Sequence, residues 1–120
     1  MALTLVPQQL EALAQERFLD RVVGVLERAY PDSSEDLHSS ATRAALRDLY
    51  EKSQRYGFSS ELDIARYLIT AWLLGVDFDT RFPAMAQILA APSMTASQKA
   101  DAIERVTTTL LDLLAAGGAR

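Results

Sequence analysis

The chain contains no cysteine and a single histidine, His38. Without cysteine there is no disulfide, no thiolate nucleophile and no thiolate metal site. One imidazole cannot supply the several His or Cys ligands that zinc takes. Nucleophilic catalysis of the serine–histidine–acid kind needs a histidine base held by a third group. His38 instead follows the polar stretch Asp32-Ser33-Ser34-Glu35-Asp36 and reads as a solvated loop residue. Positive charge is also short. Twelve Lys and Arg face sixteen Asp and Glu, for a formal charge of −4. Such a chain has no general attraction for phosphate backbones or anionic lipids, so neither nucleic acid nor a membrane is an expected partner. No run approaches the roughly 20 apolar residues of a membrane-spanning helix. The start, Met1 to Pro7, lacks the cationic segment and long apolar core of a signal peptide, the first basic residue being Arg17. A cytoplasmic location is the expectation, with no cofactor.

What is present is a globular composition. At 120 residues, 49% hydrophobic and 23% charged, the chain suits one domain whose only flexible parts are its ends, about 1–6 and 116–120. The apolar periodicity is helical throughout. Leu10, Leu13, Ala14, Phe18, Val22, Val25, Leu26 and Ala29 share one face of a first helix from about Pro7 to Tyr30. A loop follows, broken by Pro31. A second helix, from roughly Ser40 to Tyr56, turns Ala45, Leu46, Leu49, Tyr50, Ser53 and Tyr56 inward. Its outer face carries Asp48 with Lys52 and Glu51 with Arg55, acid-before-base pairs four apart that mark a solvated surface.

Gly57 is placed to take the left-handed conformation that closes a helix. Ser60 with Asp63 then approximates a capping box for a third helix, about 60–74, which Gly75 stops. Its polar residues Asp63, Arg66 and Thr70 form one narrow stripe on an otherwise apolar helix, so this element is expected to be buried at the centre of the domain. A connector, a short fourth helix from about Phe82 to Ala90, and a fifth opening on the capping box Thr95 and Gln98 complete an all-α domain of about five helices. Short connections imply mostly antiparallel neighbours.

Candidate sites are few. Asp77 and Asp79 flank Phe78 and are the one carboxylate pair with a spacing that could share a divalent cation, although the other ligands of a calcium loop are absent. Two surface acids around an inserted phenylalanine is the plainer reading. Helix two, Gly57 and helix three match the outline of a helix-turn-helix, but the third helix would offer base edges only Arg66 among aliphatics. The aromatics crowding the middle third read first as core; of the exceptions, Tyr50, Tyr56 and Tyr67 are those expected to show an edge to a partner, because a hydroxyl wants water or a hydrogen bond. Leu3, Leu5 and Val6, with Leu110, Leu111, Leu113 and Leu114, are too many apolar residues to face one core. A protein partner or a second copy is expected there.

The pattern Tyr56-Gly57-Phe58, Ser60-Glu61, Asp63, Tyr67 and Gly75-x-Asp77-Phe78-Asp79, followed by Ile88-Leu89 and Pro92, resembles a family of short, poorly characterised helical proteins. In that family a Tyr-Gly-aliphatic turn with Ser-Glu leads to a central helix closed by Gly-x-x-Phe-Asp. The similarity spans roughly Phe18 to Val106. Such proteins are often encoded beside the VgrG spike, PAAR and effector genes of bacterial type VI secretion systems. The resemblance implies a helical fold and a non-catalytic adaptor or chaperone that loads an effector onto its spike. An immunity protein that inhibits a cognate effector is the alternative, and a small acidic-residue or metal-dependent enzyme is a third. No catalytic residue is implied.

Overall fold

The computed structural model describes residues 6–118; Leu3, Leu5 and most of the terminal segments expected to be flexible lie outside them. Among the described residues every regular element is helical. The elements are α1 (Pro7–Ala29), a 3₁₀ turn (Pro31–Ser33), α2 (Ser34–Leu37), α3 (Ser40–Arg55), α4 (Glu61–Leu74), α5 (Phe78–Arg81), α6 (Pro83–Ala90) and α7 (Ala96–Gly118). Seven α-helices thus replace the expected five. The two additions, α2 and α5, are single turns in stretches expected to be loops, too short to leave a periodic signal. α7 runs to Gly118 and carries helical geometry into the glycine pair expected to end it. Two units divide the chain, Met1–Arg47 and Asp48–Arg120.

In the first unit α1 buries Phe18, Leu19, Val22, Val23 and Leu26. The expected apolar face is therefore shifted: Leu10, Leu13 and Val25 are exposed. Arg43 of α3 donates to the Glu16 carbonyl and to Asp20, and Arg47 pairs with Glu16, so α3 runs antiparallel along the middle of α1. The 3₁₀ turn and α2 pack on α1 as well. His38 is not simply solvated: its ring bonds Glu27, which also accepts from Ser34 Oγ.

The second unit begins with the end of α3. The Gly57 N–H reaches the Gln54 carbonyl at 3.0 Å and the Phe58 N–H reaches that of Ser53 at 3.1 Å, the double bond of a Schellman motif. That geometry requires the positive φ of 98° at Gly57 and drops Phe58 into the core. Ser60 Oγ accepts the Asp63 N–H at 3.1 Å and starts α4. Asp63 does not complete the capping box, because its carboxylate turns to another helix. Gly75 ends α4 at φ 112° and ψ 153°, a region open in practice to glycine alone. At the start of α7 the capping box is complete, with Thr95 and Gln98 exchanging both bonds. Lys99 Nζ caps α6 from the side by donating to the Leu89 carbonyl at 2.9 Å.

The polar stripe of α4 is its covered side. Asp63 and Thr70 are buried with Ile64, Tyr67, Leu68 and Ala71, whereas apolar Leu62 is 70% exposed. The opposite side is half-covered: within α4 only Glu61 and Leu62, both in the first turn, are exposed, as expected of a helix with neighbours on most sides. One pair departs from the antiparallel expectation: Asp63 meets Ser97, and Arg66 meets Asp101 and Glu104, so α7 runs parallel to α4. The detour through α5 and α6 makes that direction available to the chain.

The two glycines differ in a measurable way. An added Cβ at Gly57 meets nothing within 4 Å, so Gly57→Ala carries only the left-handed penalty, about 1–2 kcal/mol. At Gly75 the Cβ would also lie 3.1 Å from Asp77 Oδ1, and Gly75→Ala is expected to lower the urea midpoint further than Gly57→Ala. Equal midpoints would show that the end of α4 relaxes freely.

Candidate functional site

Two places in the second unit gather chemistry. The first lies where the chain leaves α4. Phe78 and Asp79 are consecutive and both turn inward, the phenylalanine fully buried. Tyr67 of α4 packs its ring against Phe78 and Phe58, with centroids 4.9 and 5.6 Å apart, and against Tyr56 at 6.0 Å. Asp79 Oδ2 accepts from Tyr56 Oη at 2.6 Å and from Lys52 Nζ at 2.7 Å. Tyr67 Oη and Asp79 Oδ1 are buried without a hydrogen-bond partner.

Burial by itself would raise the Asp79 carboxyl, but the Lys52 and Tyr56 hydrogen bonds and the Lys52 charge outweigh it and hold the group below the ordinary carboxylate range. Burial, then the bond to Asp79, pushes the Tyr56 phenol up to about 12. Burial, followed by the Asp79 charge, pushes Tyr67 up as well. At neutral pH this is an ionised acid neutralised by a lysine, beside two phenols that resist ionisation. A depressed carboxylate is a poor proton donor, and a raised phenol is a poor nucleophile. The cluster ties α5 to the end of α3.

The second place is the face shared by α4 and α7. Arg66 Nη2 donates to Asp101 at 2.6 Å and to Glu104 at 2.9 Å, while Nη1 lies 3.5 Å from Asp63. Ser97 Oγ donates to Asp63 at 3.0 Å. Beyond Arg66 the two helices border a groove of about 230 Å³, whose apolar lining includes Ile69, Leu73 and Leu111, joined by Thr107 and Thr108. α4 stops at Leu74 while α7 continues to Gly118. Leu110 and Leu114 follow Ile103 and Thr107 at helical spacing, on the stripe that is buried earlier in α7. Leu110 is half-buried, but Leu113 and Leu114 are 64% and 68% exposed.

The first unit holds a wider cleft of about 510 Å³, bordered by Gly24, Leu37, His38, Ser40 and Arg43. Its guanidinium is already engaged by Asp20 and the Glu16 carbonyl.

These positions sort the residues singled out in the sequence. Tyr67 is fully buried and offers a partner nothing, contrary to the expectation of an exposed edge. Tyr56 is half-buried and committed to Asp79, and Tyr50 is half-buried. Leu111 and Leu114 are exposed. Asp77 is exposed but Asp79 is not a surface acid, so the two are parted by burial and by the Lys52 bond. No group of three or more His, Cys, Asp or Glu is arranged to hold a metal among the described residues. Lys52 turns inward to Asp79 instead of forming the solvated pair with Asp48 that the spacing predicts. Sequence reasoning missed Asp101 and Glu104, which lie 35 and 38 positions from Arg66 and carry no local signal of that partnership. No family model, curated protein or solved structure matches the chain. No helix is long and apolar enough to cross a membrane among the described residues.

The cluster around Asp79 has a pH signature on both sides. The depressed Asp79 contributes stability that is present above the ordinary carboxylate value, near 4, and is lost as pH falls through the folded value. The raised Tyr56 contributes stability that is whole below its ordinary value, near 10, and is lost as pH rises toward about 12. Tyr56→Phe is expected to make the decline in urea midpoint between about pH 9 and 11 shallower; an unchanged slope would show that Tyr56 titrates normally. Lys52→Met strands a buried carboxylate. It is expected to cost about 2–3 kcal/mol at neutral pH, at or below the low end for a broken buried pair because Lys52 is partly exposed.

Proposed function

We propose that the chain is a non-catalytic protein-interaction module, an adaptor or chaperone that holds a type VI secretion effector for loading onto its spike. The observation that carries the interaction reading is the exposed continuation of the apolar stripe of α7, Leu113 and Leu114, of which Leu114 lies one turn beyond the groove residue Leu111. Solvated leucines on a stripe that elsewhere forms core are an expense to a free monomer and an asset in a complex. The Asp79 and Lys52 pair supports the non-catalytic part, since each neutralises the other inside the fold. The effector and the spike come from the resemblance carried by the Tyr56-Gly57-Phe58 turn and the Gly75 to Asp79 segment. Those residues close helices and anchor α5. They therefore support membership of a fold, and they leave the partner to be found on the leucine surface.

The test is co-purification with the products of adjacent genes. The double variant Leu113→Glu and Leu114→Glu is expected to keep the unfolding free energy within about 0.5 kcal/mol, as surface changes do, and to lose the spike or effector partner. Retained binding would move the interface elsewhere, and the absence of any spike, PAAR or effector gene nearby would remove the secretion assignment. Rescue of cells from a neighbouring toxin would replace loading with immunity. Asp77→Asn probes the enzymatic alternative more cleanly than Asp79→Asn, because Asp77 is exposed and its loss spares the Lys52 pair.

A further inference from the structure

We infer that the face formed by α4 and the second half of α7 receives its partner as an amphipathic α-helix of about three turns, apolar toward the groove and carrying lysine or arginine at the end that reaches Asp101 and Glu104. This rests on the interaction reading above and adds the conformation, length and charge of the segment bound.

The helical form follows from the shape of the site. Glu104, Thr107, Thr108 and Leu111 on α7 recur three and four apart, and Arg66, Ile69 and Leu73 do the same on α4. Two such rows side by side leave a furrow whose period matches the ridge of a third helix. No strand edge is on offer among the described residues. From Glu104 to Leu114 the face is about 15 Å long at 1.5 Å per residue, the reach of about three helical turns. Leu114 extends the apolar floor past the last residue of α4, so the far end of the guest helix meets α7 alone.

The charge follows from the head of the groove. Three carboxylates, Asp63, Asp101 and Glu104, surround the single guanidinium of Arg66 and leave two negative charges in excess. The Asp101 and Glu104 side chains are largely exposed and each retains unused lone pairs, so a second cation can join them without displacing Arg66. A second copy docking through its own α7 fits this poorly. From Val106 to Gly118 α7 has one charged residue, Asp112, so its leucine stripe would bring acid and no base to the acidic head.

Methyl-labelled full-length chain, titrated with a synthetic 18-residue Leu/Lys amphipathic helix and with its Leu/Glu counterpart, tests the inference by NMR. The Leu/Lys peptide is expected to shift the methyls of Ile69, Leu73, Thr107 and Leu111, and the Leu/Glu peptide to leave them in place. Thr108→Trp fills the groove from an exposed position and is expected to weaken the Leu/Lys peptide tenfold or more. Leu111→Glu serves as a second variant, and Asp101→Asn with Glu104→Gln is expected to weaken binding and flatten its salt dependence. Equal binding of both peptides, shifts scattered over other faces, or an unaffected Thr108→Trp would overturn the inference. So would concentration-dependent shifts at the same methyls without peptide, in a chain that sediments as a dimer. Should the neighbouring gene product still co-purify with Thr108→Trp but not with the Leu113 and Leu114 variant, the helix inference fails while the proposed function stands.

Discussion

The register between α4 and α7 governs what the second unit can present. Arg66 sets it by gripping Asp101 and Glu104 one turn apart, and Asp63 fixes the near end through Ser97. These contacts choose alignment more than they supply stability. Pairs with exposed carboxylates are worth about 0.2–1 kcal/mol each, whereas burying a large apolar side chain is worth roughly 1.5–3 kcal/mol. Buried apolar side chains such as Ile64, Tyr67, Leu68 and Ile103 therefore supply the larger share of the stability, and Arg66 decides which residues of α4 and α7 lie opposite which. With the helices parallel and in this register, α4 ends opposite the region of Leu111. The remaining turns of α7 project their leucines with no counterpart on α4.

The end of α4 is the second fixed point. Gly75 permits a turn that other residues resist, and Phe78 and Asp79 then enter the interior together. A carboxylate is costly to bury, and the Lys52 ammonium and Tyr56 hydroxyl offset that cost by binding the same oxygen. The unsatisfied Asp79 Oδ1 and Tyr67 Oη show that the compensation is partial. An acid placed here specifies where α5 docks, which a hydrophobic residue in its place would do less selectively. The Gly75 to Asp79 segment that carries the family resemblance thus has a conformational explanation, independent of any catalytic role.

Much of the helical layout was legible because its signals are local. Proline at the first turn of α1, the Gly57 stop, the Ser60 cap and the Thr95–Gln98 box each act within a few residues, and each appears where the pattern put it. α2 and α5 were illegible for the converse reason, a single turn having no period. The sense of the polar stripe on α4 was also hidden. Asp63, Arg66 and Thr70 look solvated in one helix and are covered because α7 lies over them, supplying Ser97, Asp101 and Glu104 from more than thirty positions away. Lys52 misled in the same way: a local partner, Asp48, was visible in the sequence, and the distant one, Asp79, was not. For the candidate surface, the leucine surplus at the end of α7 could be counted from composition, but its position beside a groove needed the register.

The central claim is that α7 commits the first half of its apolar stripe to folding and leaves the second half, with Leu113 and Leu114, exposed beyond the core. Amide hydrogen exchange along α7 in the free chain tests it most directly. Residues 100–110 should exchange only through global unfolding, and residues 113–118 should exchange orders of magnitude faster through local fraying. Protection of 113–118 equal to that of 100–110 would mean that the last leucines belong to the folding core, and would contradict the claim.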